Sequence, residues 1–197
     1  MSVRLLLSLA LIVSLPAHGS ENSSGPSPSP NILIILVDDL GWSDVGYHND
    51  EASTPNIDSI ASKGVELDRF YVNPTCSPTR ASLLTGLFST THGVGSPIQW
   101  HSKEGLPLKW KTMADYLRYA GYQTHLVGKW HLGNADTAYW PQARGFDSFY
   151  GFLNGGIGYF DHVFSGGRAQ PLRRGPGRAH MDPYEPIWAH MGPIWTH

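Results

Sequence analysis

The sequence predicts an α/β chain built on a largely parallel sheet. Stretches of β-branched and leucine residues alternate with segments of helical period, and acidic or polar motifs gather just past the predicted strand ends. Composition agrees: of 197 residues 41% are apolar and 15% charged, with 22 Gly and 15 Pro, so the chain has a core and many turns. Fourteen Lys+Arg against 16 Asp+Glu leave a net charge of −2, which excludes the cationic face that nucleic acid or an anionic membrane surface requires.

The elements follow in order. Arg4, the apolar run Leu5 to Leu15, and Pro16-Ala17-His18-Gly19 predict a secretory signal peptide over residues 1–19, too short to span a bilayer. Residues 20–30 are a Ser/Pro-rich linker that carries a glycosylation sequon at Asn22. These features place the protein in the secretory pathway, lysosomal or extracellular. Ile32 to Val37, apolar on both faces, predicts a central parallel strand that ends at Asp38-Asp39. Thr54-Pro55 with Ile57, Ile60, Ala61 and Gly64 predicts a capped helix. Val65, Leu67 and Tyr71 suggest a second strand, whose alternation Arg69 breaks.

Ser77-Pro78 opens the next helix, closed near Gly86. Thr112 and Asp115 form a capping-box pattern before an apolar stripe of Met113, Tyr116, Leu117 and Ala120, stopped by Gly121. Gln123 to Val127 reads as a strand leading into Gly128-Lys129-Trp130-His131. The predicted α/β region therefore spans 31–164. Residues 165–197, with Arg168, Arg173, Arg174 and Arg178 among glycines and prolines, show no period and read as an irregular tail of solvated arginines.

Cys76 is the chain's single cysteine, and a lone cysteine in a secreted chain either pairs with another chain, serves chemistry or packs as a small apolar residue. Its neighbours decide for chemistry. Cys76-Ser77-Pro78-Thr79-Arg80, followed by Leu84-Thr85-Gly86, resembles the sulfatase signature, in which the cysteine becomes formylglycine. Gly128-Lys129-Trp130-His131-Leu132-Gly133 resembles that family's second signature, and Val37-Asp38-Asp39-Leu40-Gly41 its first metal-binding strand end. Three motifs in the right order make the resemblance specific; it runs from about Asn31 to about Val163 and looks nearest to the arylsulfatase B group.

The resemblance implies an alkaline-phosphatase-like sandwich with a mostly parallel central sheet, of which this chain holds the N-terminal portion. It implies hydrolysis of a sulfated carbohydrate or an aryl sulfate ester, and maturation by the formylglycine-generating enzyme. The hydrated aldehyde made from Cys76 attacks sulfur with one hydroxyl, and its second hydroxyl then expels sulfate by elimination. Arg80 and Lys129 hold the hydrate, Lys129 also holds the sulfate, and His131 assists sulfate release. Asp38, Asp39 and the modified Cys76 ligate one calcium ion, a hard cation suited to carboxylate oxygens. A cysteine at the start of a helix also meets unpaired backbone N–H groups and the positive dipole end, a seat for an anion.

Three readings stay open on this basis: an active sulfuric ester hydrolase, an inactive sulfatase fragment or secreted binding protein, and a phosphatase or phosphonate hydrolase of the same superfamily. Further metal ligands of such enzymes come from later chain, and none is assigned here. His92 reads as a loop histidine in preference to one facing the cleft, His162 as part of a packed aromatic turn or a pocket wall, and Trp188 and Trp195 have no identifiable partner.

Overall fold

The computed structural model describes residues 10–15, 29–158, 160 and 173–174. They fall into two compact units, one holding the first two strands and the other beginning at Asp38.

In the first unit, β1 (Ala10–Leu15) pairs antiparallel with β2 (Asn31–Leu36), Ala10 opposite Leu36 and Leu15 opposite Asn31. The apolar run before Asp38 is thus a strand, as expected, but it is not a central parallel one. Its partner is the other β-branched run near it in sequence, which matches it in length and chemistry, and Ile32, Leu33 and Ile35 of β2 remain exposed. The expected signal peptide overlaps β1 and otherwise lies outside the described residues, as does Asn22.

The second unit carries α1 (Pro55–Lys63), α2 (Cys76–Thr85), the short α3 (Ser89–His92) and α4 (Met113–Tyr119) around β3 (His125–Lys129), β4 (Ser148–Phe152) and β5 (Arg173–Arg174). The β3–β4 pair is parallel, His125 opposite Ser148 and Lys129 opposite Phe152, which gives the unit its α/β character. Strand β5 runs antiparallel to β4, with Arg174 opposite Tyr150, so Arg173 and Arg174 belong to a sheet edge rather than to an aperiodic tail.

Local chemistry explains the helices. Pro55 opens α1 at a position where its missing N–H costs nothing, while the Thr54 hydroxyl accepts from Gly46 N at 2.8 Å and donates to Asp58. Helix α2 ends at Gly86 in the left-handed conformation (φ 71°), where a side chain would be strained. At α4 the expected capping box forms: Asp115 N reaches the Thr112 hydroxyl at 3.3 Å, and Thr112 N reaches the Asp115 carboxylate at 2.8 Å. The buried stripe is shifted, however. Ala114 is buried while Tyr116 and Ala120 face out, because Ala114 packs into the core cluster with Trp130 and Phe146.

No strand forms over residues 65–71. Leu67 to Phe70 turn instead, with Phe70 N donating to Leu67 O, and Val65, Leu67 and Tyr71 are exposed. Arg69 breaks the alternation, and no neighbouring strand among the described residues takes up the backbone. The core comprises Ala81, Val94, Leu106, Ala114, Trp130, Leu132, Phe146, Phe149 and Leu153. Arg144 is buried within it and holds the 106–110 loop, donating to Leu106 O at 2.7 Å and Trp110 O at 2.8 Å. Gly151 faces Gly128 across the parallel pair so closely that a methyl group there would collide with the Gly128 carbonyl.

Candidate functional site

The site is assembled at the carboxyl end of β3. Along Lys129-Trp130-His131-Leu132, Trp130 (1% exposed) and Leu132 go into the core, while Lys129 reaches the Asp38 carboxylate and His131 the Ile98 carbonyl. Lys129 is the last residue of β3. His131 lies beyond it with φ 59°, so the chain has left the extended form, and the two side chains do not simply repeat along one strand.

Backbone bonds from Trp130 N to Phe152 O (2.9 Å) and His131 N to Leu153 O (3.0 Å) continue the parallel ladder past the strand end. They fix this turn against β4. The Gly155 backbone lies against the His131 imidazole, where a Cβ would sit 2.8 Å from the ring.

Cys76 is the first residue of α2, half-buried, behind Thr75 in extended conformation with no side-chain cap. The first N–H groups of α2 are therefore not taken by a cap side chain. Arg80, one turn on, donates to Lys129 O at 2.6 Å and lies 3.8 Å from the Asp38 carboxylate. Lys129 Nζ is 2.7 Å from the other oxygen of Asp38. Both cations are largely buried, so one carboxylate faces a guanidinium and an ammonium in a confined space, and a net positive charge remains. Burial pulls the Arg80 guanidinium below its ordinary value, opposed by Asp38, Cys76 and Asp39. Arginine stays charged through such a shift.

His131 is buried, and burial pushes its pKa down to about 4, with Lys129 and Arg80 adding to the effect and the Ile98 carbonyl and Asp38 opposing it. It is neutral at neutral pH. Its Nε2 bonds Ile98 O at 3.0 Å, and its Nδ1 has no partner among the described residues.

Asp39 follows Asp38 in left-handed conformation (φ 60°), which Asp tolerates better than most residues. Among the described residues no group of three or more His, Cys, Asp or Glu converges as a metal cage. Calcium takes about 6–8 oxygen ligands, so the described residues do not by themselves fit a complete calcium site.

The structure thus brings Cys76, Arg80, Lys129, His131 and Asp38 into one charge-coupled cluster, with Asp39 adjacent in the chain. His92 is not an exposed loop residue. It ends α3 at 1% exposure, accepts from Val94 N through Nδ1 at 3.1 Å and bonds the Ser82 hydroxyl at 3.0 Å. Asn73 reaches the same hydroxyl at 2.9 Å, so this partly buried trio, with His92 at its core, braces the back of α2. His162, Trp188 and Trp195 lie outside the described residues.

Residues 30–171 match the Sulfatase family model. The chain belongs to the sulfatase family. It is 41% identical over 143 residues to arylsulfatase J of Mus musculus, covering 72% of this chain and 24% of that protein. Arylsulfatase G of Rattus norvegicus is 46% identical over 127 residues, 64% of this chain and 24% of that one. N-acetylgalactosamine-6-sulfatase of Canis lupus familiaris is 36% identical over 172 residues, 82% of this chain and 31% of that one. The crystal structure of Ps i-CgsB superposes with a TM-score of 0.65 at 33% identity, over 72% of this chain and 35% of that one. This sulfatase chain therefore has the N-terminal portion of the α/β, alkaline-phosphatase-like fold, and it spans roughly a quarter to a third of the length of these curated relatives.

Proposed function

We propose that this sulfatase chain carries the nucleophile half of a sulfuric ester hydrolase site. One observation supports the reading above the rest: Arg80 of α2 and Lys129 of β3, distant in sequence, meet on the same carboxylate, Asp38, beside Cys76. Two buried cations at the head of a helix are what a sulfate monoester requires, since they offset its charge in the ground state and as charge builds on the leaving oxygen. Formylglycine at Cys76 would supply the attacking hydroxyl of its hydrate.

Arg80, tied to the Lys129 carbonyl, fixes the helix against the strand end and so sets the separation of nucleophile and sulfate-binding cation. Lys129, released from Asp38 when an anion competes, holds the sulfate. Neutral His131 is the base that accompanies sulfate release. Asp38, Asp39 and the modified Cys76 are this chain's share of a calcium shell that the described residues leave incomplete. A sulfated carbohydrate is the favoured substrate class, because one solved relative, at 34% identity and TM-score 0.62, is in complex with k-i-k-neocarrahexaose. The leader-like residues 1–19 assign the protein to the secretory pathway, where a formylglycine-generating enzyme would act on Cys76.

The test is expression through a secretory pathway, mass spectrometry of the Cys76 peptide, and assays with paired sulfate and phosphate esters. Conversion of Cys76 with preferential sulfate release is expected. An unmodified thiol without turnover refutes the enzymatic reading for this chain, and preferential phosphate release moves it to the phosphatase reading.

A further inference from the structure

Ser77, directly after Cys76, is fully buried, and every link it makes leads to His131. Its hydroxyl donates to His131 O at 2.8 Å and accepts from Ile98 N at 3.0 Å. The carbonyl of that same Ile98 faces His131 Nε2 at 3.0 Å. The three links close a ring: Ser77 to the His131 backbone, Ser77 to the Ile98 backbone, and Ile98 back to the His131 side chain.

Two consequences follow from elementary chemistry. A backbone carbonyl only accepts, so Nε2 must carry the proton, and the lone pair of the neutral ring is then on Nδ1. Nδ1 is the ring nitrogen without a partner among the described residues, whereas Nε2 is consumed by the brace. Moreover, His131 holds φ 59°, a conformation that non-glycine residues keep only where surroundings over-determine it. The hydrogen bond from Ser77 to the His131 carbonyl, together with the His131 N to Leu153 O bond, pins the backbone on both sides of that residue.

We propose that Ser77 is a positioning residue of this site, a hydroxyl that locks His131 in the Nε2–H tautomer and ties its open Nδ1 to the start of α2, where Cys76 is the adjoining residue. The catalytic part of this rests on the sulfatase reading above; the lock itself does not. Because Ser77 and Cys76 are consecutive on α2, a shift of the helix start moves nucleophile and histidine together, and their relative geometry survives.

The experiment is nitrogen-15 NMR of the full chain with labelled histidine, His131 being assigned by the His131→Gln variant, alongside sulfate-ester kinetics normalised to the formylglycine content of each preparation. In the unsubstituted protein His131 should show a protonated, slowly exchanging Nε2 and an unprotonated Nδ1. Ser77→Ala should speed Nε2–H exchange about 10-fold or more and lower kcat about 10- to 100-fold with KM nearly unchanged, as misplacement of a reacting group does. Ser77→Thr, which restores the hydroxyl, should recover both. A proton on Nδ1, or averaged tautomers, in the unsubstituted protein overturns the proposal even if Ser77→Ala does not fold. So does a Ser77→Ala protein whose His131 spectrum is unchanged. A lock that follows Ser77 in a chain without turnover upholds the positioning role and refutes the sulfatase reading instead.

Discussion

Strand β2 and the strip Lys129 to Leu132 make an instructive pair. By composition β2 is the more hydrophobic, Asn-Ile-Leu-Ile-Ile-Leu, yet Leu33 is 47% exposed and Ile35 44%. The strip is half polar, yet Trp130 and Leu132 are almost completely shielded and Lys129 and His131 are held by named partners. Hydrophobicity provides a reason to be buried, but distant chain provides the burial. The strip receives it from Ala81 of α2, Leu106 and Phe146 of loops, and Leu153 just past β4. Strand β2 has, among the described residues, only β1 at one edge.

The sharpest way to break the contrast is Trp130→Ala. Trp130 sits at the centre of the core, edge-on to Phe146 at a 6.1 Å centroid distance, and its indole N–H donates to Tyr139 O at 2.9 Å. Removing it should cost about 3–5 kcal/mol, the usual price of emptying a large aromatic site. The neighbouring Lys129 and His131 should lose their alignment with it. Denaturant unfolding measures the first effect. Loss of the ordered His131 resonance under native conditions measures the second.

Much of this was legible in the sequence, for reasons that differ by element. The α4 capping box, Pro55 at the head of α1 and Gly86 at the end of α2 are local devices, and a local device can be read from a few residues. The candidate site residues were nameable because three motifs resemble a family pattern; their spacing could not place Arg80 and Lys129 on one carboxylate. Strand pairing and burial were not legible. The run Ile32 to Val37 announces a strand, but whether its neighbour is parallel depends on chain far away. Ser77 and His92 escaped for a related reason: their partners, Ile98, His131 and Ser82, are 10 to 54 positions distant. A buried serine is recognised by what it meets.

Acid should separate the two regions next. His131 has a folded pKa of about 4 against an ordinary 6.5, so above pH 6.5 both folded and unfolded forms are neutral there and its contribution is complete. As pH falls from 6.5 towards 4 the unfolded chain takes up the proton first, and stability drops by on the order of 2–3 kcal/mol. His92, also shifted down by burial, adds to the loss in the same direction. Asp147 acts lower still: hydrogen bonds from Thr124 hold its carboxyl below the usual carboxylate value, so its contribution fades as pH falls through and below about 3.8. His131→Asn should therefore flatten the stability curve between pH 6.5 and 4 and leave the slope below it. An unchanged curve would show that His131 is already solvated in the native state.

The most direct test of the comparison makes one substitution in both places, and its second arm carries the smallest expected effect. Leu132→Ala removes a fully buried side chain from the core and should cost about 2–5 kcal/mol. Leu33→Ala removes the same atoms from a half-exposed position in β2, where the area kept from water is roughly half as large and no closed cavity remains, so the cost should be about 1 kcal/mol or less. The two variants have identical chemistry, so their difference in unfolding free energy isolates what surrounding chain contributes. If Leu33→Ala proves as costly as Leu132→Ala, β2 is packed against further protein in solution, and its exposed apolar face is where that contact must be sought.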